Sequence, residues 1–363
     1  MSQPSVTPTA VDHGPTRSER IAKRIMVVAL LLLAVSLLGA VIKLPYAIEY
    51  PGSMTDTIGT SADTQTVQVS GARTYPTEGS LYFTTVSVLG GPERHVSVWE
   101  WVGGHLDPDA EVVPEELVYG DVSTDDEVRE ANEAQMTGSQ QSAIAVGLRS
   151  TGETVGQENL VAQVGEDLPA DGVLEPEDVI VAVDGQELSR VDEIVGAISD
   201  RSVGDEVEIT VERDGQERTE TLTTADIGTG RAGIGIAIEP AYDLPFEVII
   251  DAGEVGGPSA GMMFALAVHD VLTPGALTGG EEIAGTGTIS DSGQVGRIGG
   301  IDQKMTGAQE GGADYFLAPA GNCEDVVGNE PDDLEVVAVE DFEDALSAVE
   351  AIAAGRTEDL PRC

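Results

Sequence analysis

Lysine is nearly missing from this chain. It occurs at positions 23, 43 and 304, and Lys304 alone lies beyond Leu44. Positive charge of any kind is scarce, with 18 Lys and Arg against 65 Asp and Glu and a formal net charge of −47. A surface of that sign repels phosphate backbones, which excludes nucleic acid as a partner. The acidity otherwise reads as a solvated surface. So few lysines cannot hide a G-x-x-x-x-G-K-[ST] nucleotide loop, and none occurs. Aromatics are 4% of residues, so a core of Val, Ile, Leu and Ala is expected, with many turns among 44 glycines. Two cysteines, Cys323 and Cys363, are too few for a disulfide framework. No CxxC or Cys/His spacing suggests zinc, so no metal or other cofactor is expected. A single bridge between the two cysteines stays open.

What is present begins with one long apolar run. "IMVVALLLLAVSLLGAVI", Ile25–Ile42, has 18 residues without a charge. That length crosses a bilayer with Lys43 snorkelling at its end. Arg17, Arg20, Lys23 and Arg24 precede it against Glu19. The positive-inside rule puts residues 1–24 in the cytoplasm as a tail of disordered composition, and everything after Lys43 outside. A cleaved signal peptide is the rival, but its apolar region is usually shorter and no A-x-A site follows. The expectation is an uncleaved, single-pass anchor in the cell membrane.

Beyond the anchor, "SLYFTTVSVLG" (80–90) and "HVSVWEWVGG" (95–104) read as strands, being β-branched, aromatic and bounded by glycine. Residues 124–152, rich in Ala and Glu, read as a helix with Gly152 near its stop. Residues 160–223 form a coherent unit. "LVAQV" is a strand; "GEDLPADGVLEPEDVIVAVDGQEL" reads as two strands about a Pro/Gly turn, closed by an Asp184-Gly185 hairpin. "SRVDEIVGAIS" is a short amphipathic helix with Ser189 as its N-cap, and Asp214-Gly215 turns a last hairpin. Strands around one short helix predict a small, partly open β-barrel. In its order of elements this stretch, about 145–225, resembles a PDZ domain of the bacterial protease-associated type. The resemblance implies capture of an extended peptide, often a C-terminus, by strand addition beside the helix.

The third region opens with "FEVIIDAGEVGGPSAGMMFALAVHDVLTPG", which reads strand, glycine turn, helix. The helix is expected to start near Pro258 and to end by Leu272, before Thr273-Pro274. Ser259 then sits where unpaired N–H groups favour negative charge, so Ala260 and Gly261 are candidate oxyanion donors. G-x-S-x-G also fits a nucleophile elbow, which needs a histidine downstream. The one available is His269, ten residues along the same helix. Ten residues rise about 15 Å, too far for proton transfer. A serine without histidine needs another base. Arginine cannot lose its proton, but a buried lysine can. Lys304 is the candidate general base; a solvated helix lysine is the bland alternative.

"GGPSAG", then "IAGTGTIS", then Lys304 in "GRIGGIDQKMTGA", then "GGADYFLAPAGN", together resemble the proteolytic domain of Lon proteases over about 230–350. The resemblance implies an α+β fold and a Ser-Lys dyad of Ser259 and Lys304. It also maps a supporting threonine onto Thr286, which otherwise reads as an ordinary strand residue. Two departures stand out. Lon proteins usually carry an acidic residue before Gly-Pro-Ser, where this chain has glycine; Glu254, five residues before Ser259, is the nearest substitute. The Lon ATPase motif is missing. The layout is similar to PDZ-containing Lon-like proteases of bacterial envelopes. The expected organisation is a tail (1–24), a transmembrane helix (25–42), an extracytoplasmic region supplying early catalytic strands (43–144), a PDZ domain (145–228), a Lon-like proteolytic domain (229–355) and a short tail (356–363). The expected function is an ATP-independent serine endopeptidase that takes polypeptide substrates, with homo-oligomerisation open. Its rivals are an inactive PDZ scaffold for envelope proteins and an esterase using the elbow serine.

Overall fold

The computed structural model describes residues 17–61, 64–120, 122–228 and 230–363. Of the tail expected at 1–24, residues 1–16 lie outside them, and Arg17 to Arg24 are helical, continuous with the apolar run. The chain divides into two compact units, one from Met1–Ile48 with Leu89–Asp121, the other from Glu49–Val88 with Val122–Cys363.

The first unit is built on the helix Arg17–Val41, whose stretch Lys23–Val41 is long and apolar enough to cross a membrane. Just past it, Lys43–Leu44 pairs antiparallel with Val96–Ser97. The expected strand over 95–104 stops there. From Val98 to Leu106 the chain is helical. Ser97 and Glu100 form a reciprocal capping box, the Ser97 hydroxyl accepting from the Glu100 N–H and the Glu100 carboxylate from the Ser97 N–H. S-x-x-E outweighs the strand propensity of Val, Trp and Trp because it satisfies two donors that a strand end would leave open.

In the second unit, a sheet runs in the order Glu335–Val339, Tyr315–Pro319, Glu282–Gly285, Ser80–Leu89, Tyr46–Asp56. Glu282–Gly285 is parallel to both of its neighbours. Side chains alternate between the two faces, as strand geometry requires. Ile283, Leu317 and Val337 join a core that contains the helix Gly261–Leu272 together with residues of Asp125–Ser150 and Phe342–Ala353. Ala284, Phe316, Ala318 and Val336 face the other way, onto Ile301, Met305 and Ala308 of the helix Ile301–Gly311. Helices therefore cover both faces of a mixed sheet. Capping explains the longest of them: Thr124 and Glu127 box the start of Asp125–Ser150.

A second, antiparallel sheet has the order Gln216–Thr223, Glu206–Arg213, Val179–Val183, Gly156–Val164, Ile236–Asp243, and the helix Val191–Ser199 closes its core. Asp184 and Asp214, each followed by glycine, take the left-handed conformation that their hairpin turns require. Two details differ from expectation. Residues 166–177 form turns rather than a strand, and the N-cap of the helix is Arg190, not Ser189. Glu193 draws the backbone N–H groups of both Ser189 and Arg190 to its carboxylate, which moves the start by one residue. The edge strand Ile236–Asp243 lies beyond residue 228, so this sheet runs on into the segment expected at 229–355.

Cys323 and Cys363 are joined in a disulfide across 40 residues of sequence. At the C-terminal end of Gly261–Leu272, Asp270 is fully buried. One carboxylate oxygen accepts from the Leu277 N–H at 3.1 Å; the other has no partner among the described residues. Burial pushes this carboxyl up to about 6. The folded chain then binds more protons than the unfolded one between about pH 4 and 6, so stability from this group falls as pH rises through that window. Asp270→Asn keeps the acceptor and removes the charge. It is expected to stabilise by about 2 kcal/mol above pH 6, with the gain vanishing below about pH 4. Denaturant unfolding of parent and variant at both pH values checks this.

Candidate active site

Ser259 arrives from the strand Glu247–Ile250, which pairs with Val67–Ser70. Gly257 takes the left-handed conformation (φ 86°) and gives its N–H to the Asn132 carbonyl, while the Ser139 hydroxyl donates to the Pro258 carbonyl at 2.9 Å. The helix begins at Gly261, with Ala260 as N-cap, three residues later than expected. Pro258 and Ser259 are held in the turn because other partners claim their carbonyls. The Ser259 carbonyl accepts from the Gly287 N–H at 2.7 Å and from the Thr286 hydroxyl at 3.0 Å. At Gly261 a Cβ would stand 2.7 Å from both Ile289 Cγ2 and Ser139 Oγ, so only glycine fits.

Lys304 comes from the opposite face of the sheet, on Ile301–Gly311, a helix that follows left-handed Gly300. Its Nζ lies 2.7 Å from Ser259 Oγ and 3.0 Å from Thr286 Oγ1. Thr286 directly follows the strand Glu282–Gly285 and is wholly buried. The three sequence-predicted side chains thus meet just past the carboxyl end of the central parallel strand, with one helix from each face of the sheet. Lys304 is 4% exposed and makes no ion pair among the described residues. Loss of hydration lowers its amine to about 8, against a weaker opposing pull from Glu49.

The other candidates part from the dyad. Gly261 turns its N–H to the Pro258 carbonyl at 3.4 Å, whereas the Ala260 N–H has no protein acceptor among the described residues. Glu254 is exposed. His269 hydrogen-bonds Ser150 Oγ through Nδ1 at 2.7 Å, and burial lowers its pKa.

Asp291, which sequence reasoning passed over, lies in the turn between Thr288–Ile289 and Val295–Gly296. Its carboxylate accepts from Gln157 Nε2 at 2.6 Å and from the N–H of Val191, the first residue of the helix Val191–Ser199. Its carbonyl accepts from Arg149 at 2.8 Å. This turn, five residues after Thr286 in sequence, therefore grips the first residue of the helix that faces the edge strand Ile236–Asp243. D-S-G marks it in sequence only as a turn, because its partners lie at least 100 positions away.

Comparison with known families agrees with this arrangement. Residues 246–351 match the Lon protease (S16) C-terminal proteolytic domain, and residues 142–224 match the PDZ domain. Two separate stretches of the chain are thus similar to a PDZ domain and to the Lon proteolytic domain. Similar curated proteins include the Lon protease of Campylobacter concisus, 33% identical over 109 residues (29% of this chain, 13% of that protein), and Lon protease 1 of Bacillus subtilis, 35% identical over 98 residues (27% and 12%). This chain thus spans only about an eighth of the length of those relatives. Among solved structures, the PDZ domain of the SdrC-like protein of Listeria monocytogenes is 30% identical, covering 22% of this chain and 85% of that one, with a TM-score of 0.22.

Two measurements test the geometry. An amine held near 8 in the folded chain and near 10.4 when unfolded makes the unfolded state bind more protons between those values. Stability from this group therefore rises with pH across that window, and its full penalty is present at pH 7. Lys304→Met is expected to raise stability at pH 7 by about 3 kcal/mol, with the gain shrinking toward pH 10 in denaturant melts. Thr286→Val keeps shape but deprives Nζ and the Ser259 carbonyl of a partner. Its kcat/KM for peptide cleavage is expected to fall roughly 10- to 100-fold, the worth of a lost buried hydrogen bond.

Proposed function

We propose that this chain is a membrane-anchored serine endopeptidase that hydrolyses extended polypeptide without ATP, through a dyad of Ser259 and Lys304. The observation that carries the reading is the 2.7 Å approach of Nζ to Oγ by a buried amine lowered to about 8. In its neutral form Lys304 accepts the Ser259 proton as Oγ attacks the peptide carbonyl carbon. Thr286 holds both Nζ and the Ser259 backbone, fixing the distance between base and nucleophile. The developing oxyanion takes the Ala260 N–H, with the start of the Gly261–Leu272 helix adding its dipole. The lysinium then protonates the leaving nitrogen, the C–N bond breaks, and an ester on Ser259 remains. Water gives a proton to Lys304 and attacks the ester carbonyl carbon; the C–Oγ bond then breaks, the lysinium returns its proton to Oγ, and the acid is released. No step asks for a metal or nucleotide.

The PDZ domain binds peptide in a groove, and here the edge strand Ile236–Asp243 and the helix Val191–Ser199 supply its walls. Strand addition there would hold a substrate segment close to the chain that delivers Ser259. The anchor helix, with Arg17, Arg20, Lys23 and Arg24 before it, favours a cytoplasmic N-terminus and an extracytoplasmic active domain. The Cys323–Cys363 disulfide supports the same orientation, since such bridges persist in oxidising compartments.

The test follows cleavage of an unfolded polypeptide by the full chain in lipid nanodiscs, with no nucleotide. The parent is expected to cut, with kcat/KM rising through an inflection near pH 8 as Lys304 loses its proton. Ser259→Ala and Lys304→Arg are expected to be inactive. Equal cleavage by all three proteins would sink the dyad.

A further inference from the structure

We propose that the helix Val98–Leu106 is a membrane-surface element, embedded at the boundary of headgroups and acyl chains of the outer leaflet, beside the anchor. The proposal rests on the anchor reading above. Its starting point is a contact made inside the apolar run. Trp99 donates its indole N–H to the Ser36 carbonyl at 2.8 Å. The indole lies so close to Gly39 that a Cβ there would stand 2.5 Å from Nε1. Ser36 is five residues before the helix ends at Val41, a depth of roughly 8 Å at 1.5 Å per residue. A bilayer that covers the span Lys23–Val41 therefore also covers Trp99.

Three further observations agree. The pairing of Lys43 with Ser97 ties the start of this helix to the level at which the anchor leaves the bilayer. Trp99 and Leu106, seven positions apart and so on one helix face, are 45% and 78% exposed. The carboxylate of Glu100 accepts from the Ser97 N–H and lies 3.7 Å from Arg94, so the one acidic side chain of this helix is engaged on its own N-terminal turn. An indole N–H without a partner is costly in hydrocarbon; bonded to Ser36 it can sit below the headgroups without water. Interfacial helices lie about 5–10 Å into this boundary, which matches the depth of the Ser36 contact. The occupant proposed is phospholipid, not a second protein.

The chain has two tryptophans, Trp99 and Trp101, so its fluorescence can be made specific to one indole. Trp101→Phe keeps a ring against Tyr46 and leaves Trp99 alone. The full chain carrying this change is reconstituted in phosphatidylcholine–phosphatidylglycerol vesicles with brominated acyl chains. Trp99 emission is expected to be blue-shifted and quenched at least about two-fold by bromine near the carbonyl end of the chains. Gly39→Leu, which drives a side chain into the indole, is expected to weaken the quenching, and the parent with both indoles serves as a folding control. Flotation of the vesicles after an alkaline wash reports the anchor separately. A chain that floats with Trp99 unquenched overturns the proposal while the anchor stands; protection from aqueous iodide in that case would assign the face to protein. A chain that does not float removes both readings.

Discussion

An ammonium group excluded from water needs a countercharge, and Lys304 has only the weaker pull of Glu49. Its chain holds 65 carboxylates, yet no ion pair reaches Nζ among the described residues. The amine therefore spends its hydrogen bonds on two neutral hydroxyls, those of Ser259 and Thr286. A nearby carboxylate would draw either hydroxyl to itself as a hydrogen-bond donor, and a strong ion pair would return the amine to its ordinary basicity. Keeping carboxylates out of direct contact with one amine in so acidic a chain is the constraint that shapes the surroundings. Apolar helix faces, glycine contacts and backbone hydrogen bonds fill the space that charged side chains occupy elsewhere. The group proposed as the base is also one that works against folding at neutral pH, as buried ionisable groups at functional sites commonly do.

Much of the site was legible because its chemistry is local. Gly-Pro-Ser-Ala-Gly at a strand-to-helix turn and a lone lysine in a glycine-rich stretch announce themselves by residue type. Their meeting across the sheet was legible only through family resemblance, since no periodicity relates two helices on opposite faces. Helix boundaries went astray where side chains or tertiary partners decided them. Pro258 fits a first helical turn, but the carbonyls of Pro258 and Ser259 are taken by Ser139, Gly287 and Thr286, and the helix waits until Gly261. At 95–104 the reverse occurred. Strand-forming residues became helical because Ser97 and Glu100 capped each other. Asp291 was invisible, since its partners come together only after the whole unit has folded.

The two sheets of the larger unit share more than a border. The strand Ile236–Asp243, at the edge of one, passes through three residues, Leu244 to Phe246, into Glu247–Ile250 and then to the serine turn. From the other direction, Asp291 reaches from the turn after Thr288–Ile289 to the first residue of the helix Val191–Ser199. The groove proposed for peptide is thus held to the catalytic side at both of its walls, by covalent chain at one and by a buried carboxylate at the other.

That continuity fixes where one module could be exchanged for another. The domain boundary expected at residue 228 invites a cut there, but such a cut would leave Gly156–Val164 without its neighbour and send Ile236–Asp243 away as a loose tail. A graft that preserves both sheets must enter after the helix Asp125–Ser150 and leave at Leu244–Phe246, and the incoming domain must end in a strand that points at the serine. The order of strands within such a domain is therefore fixed by the chain that follows it, because its last strand must be the one that leads into the serine turn.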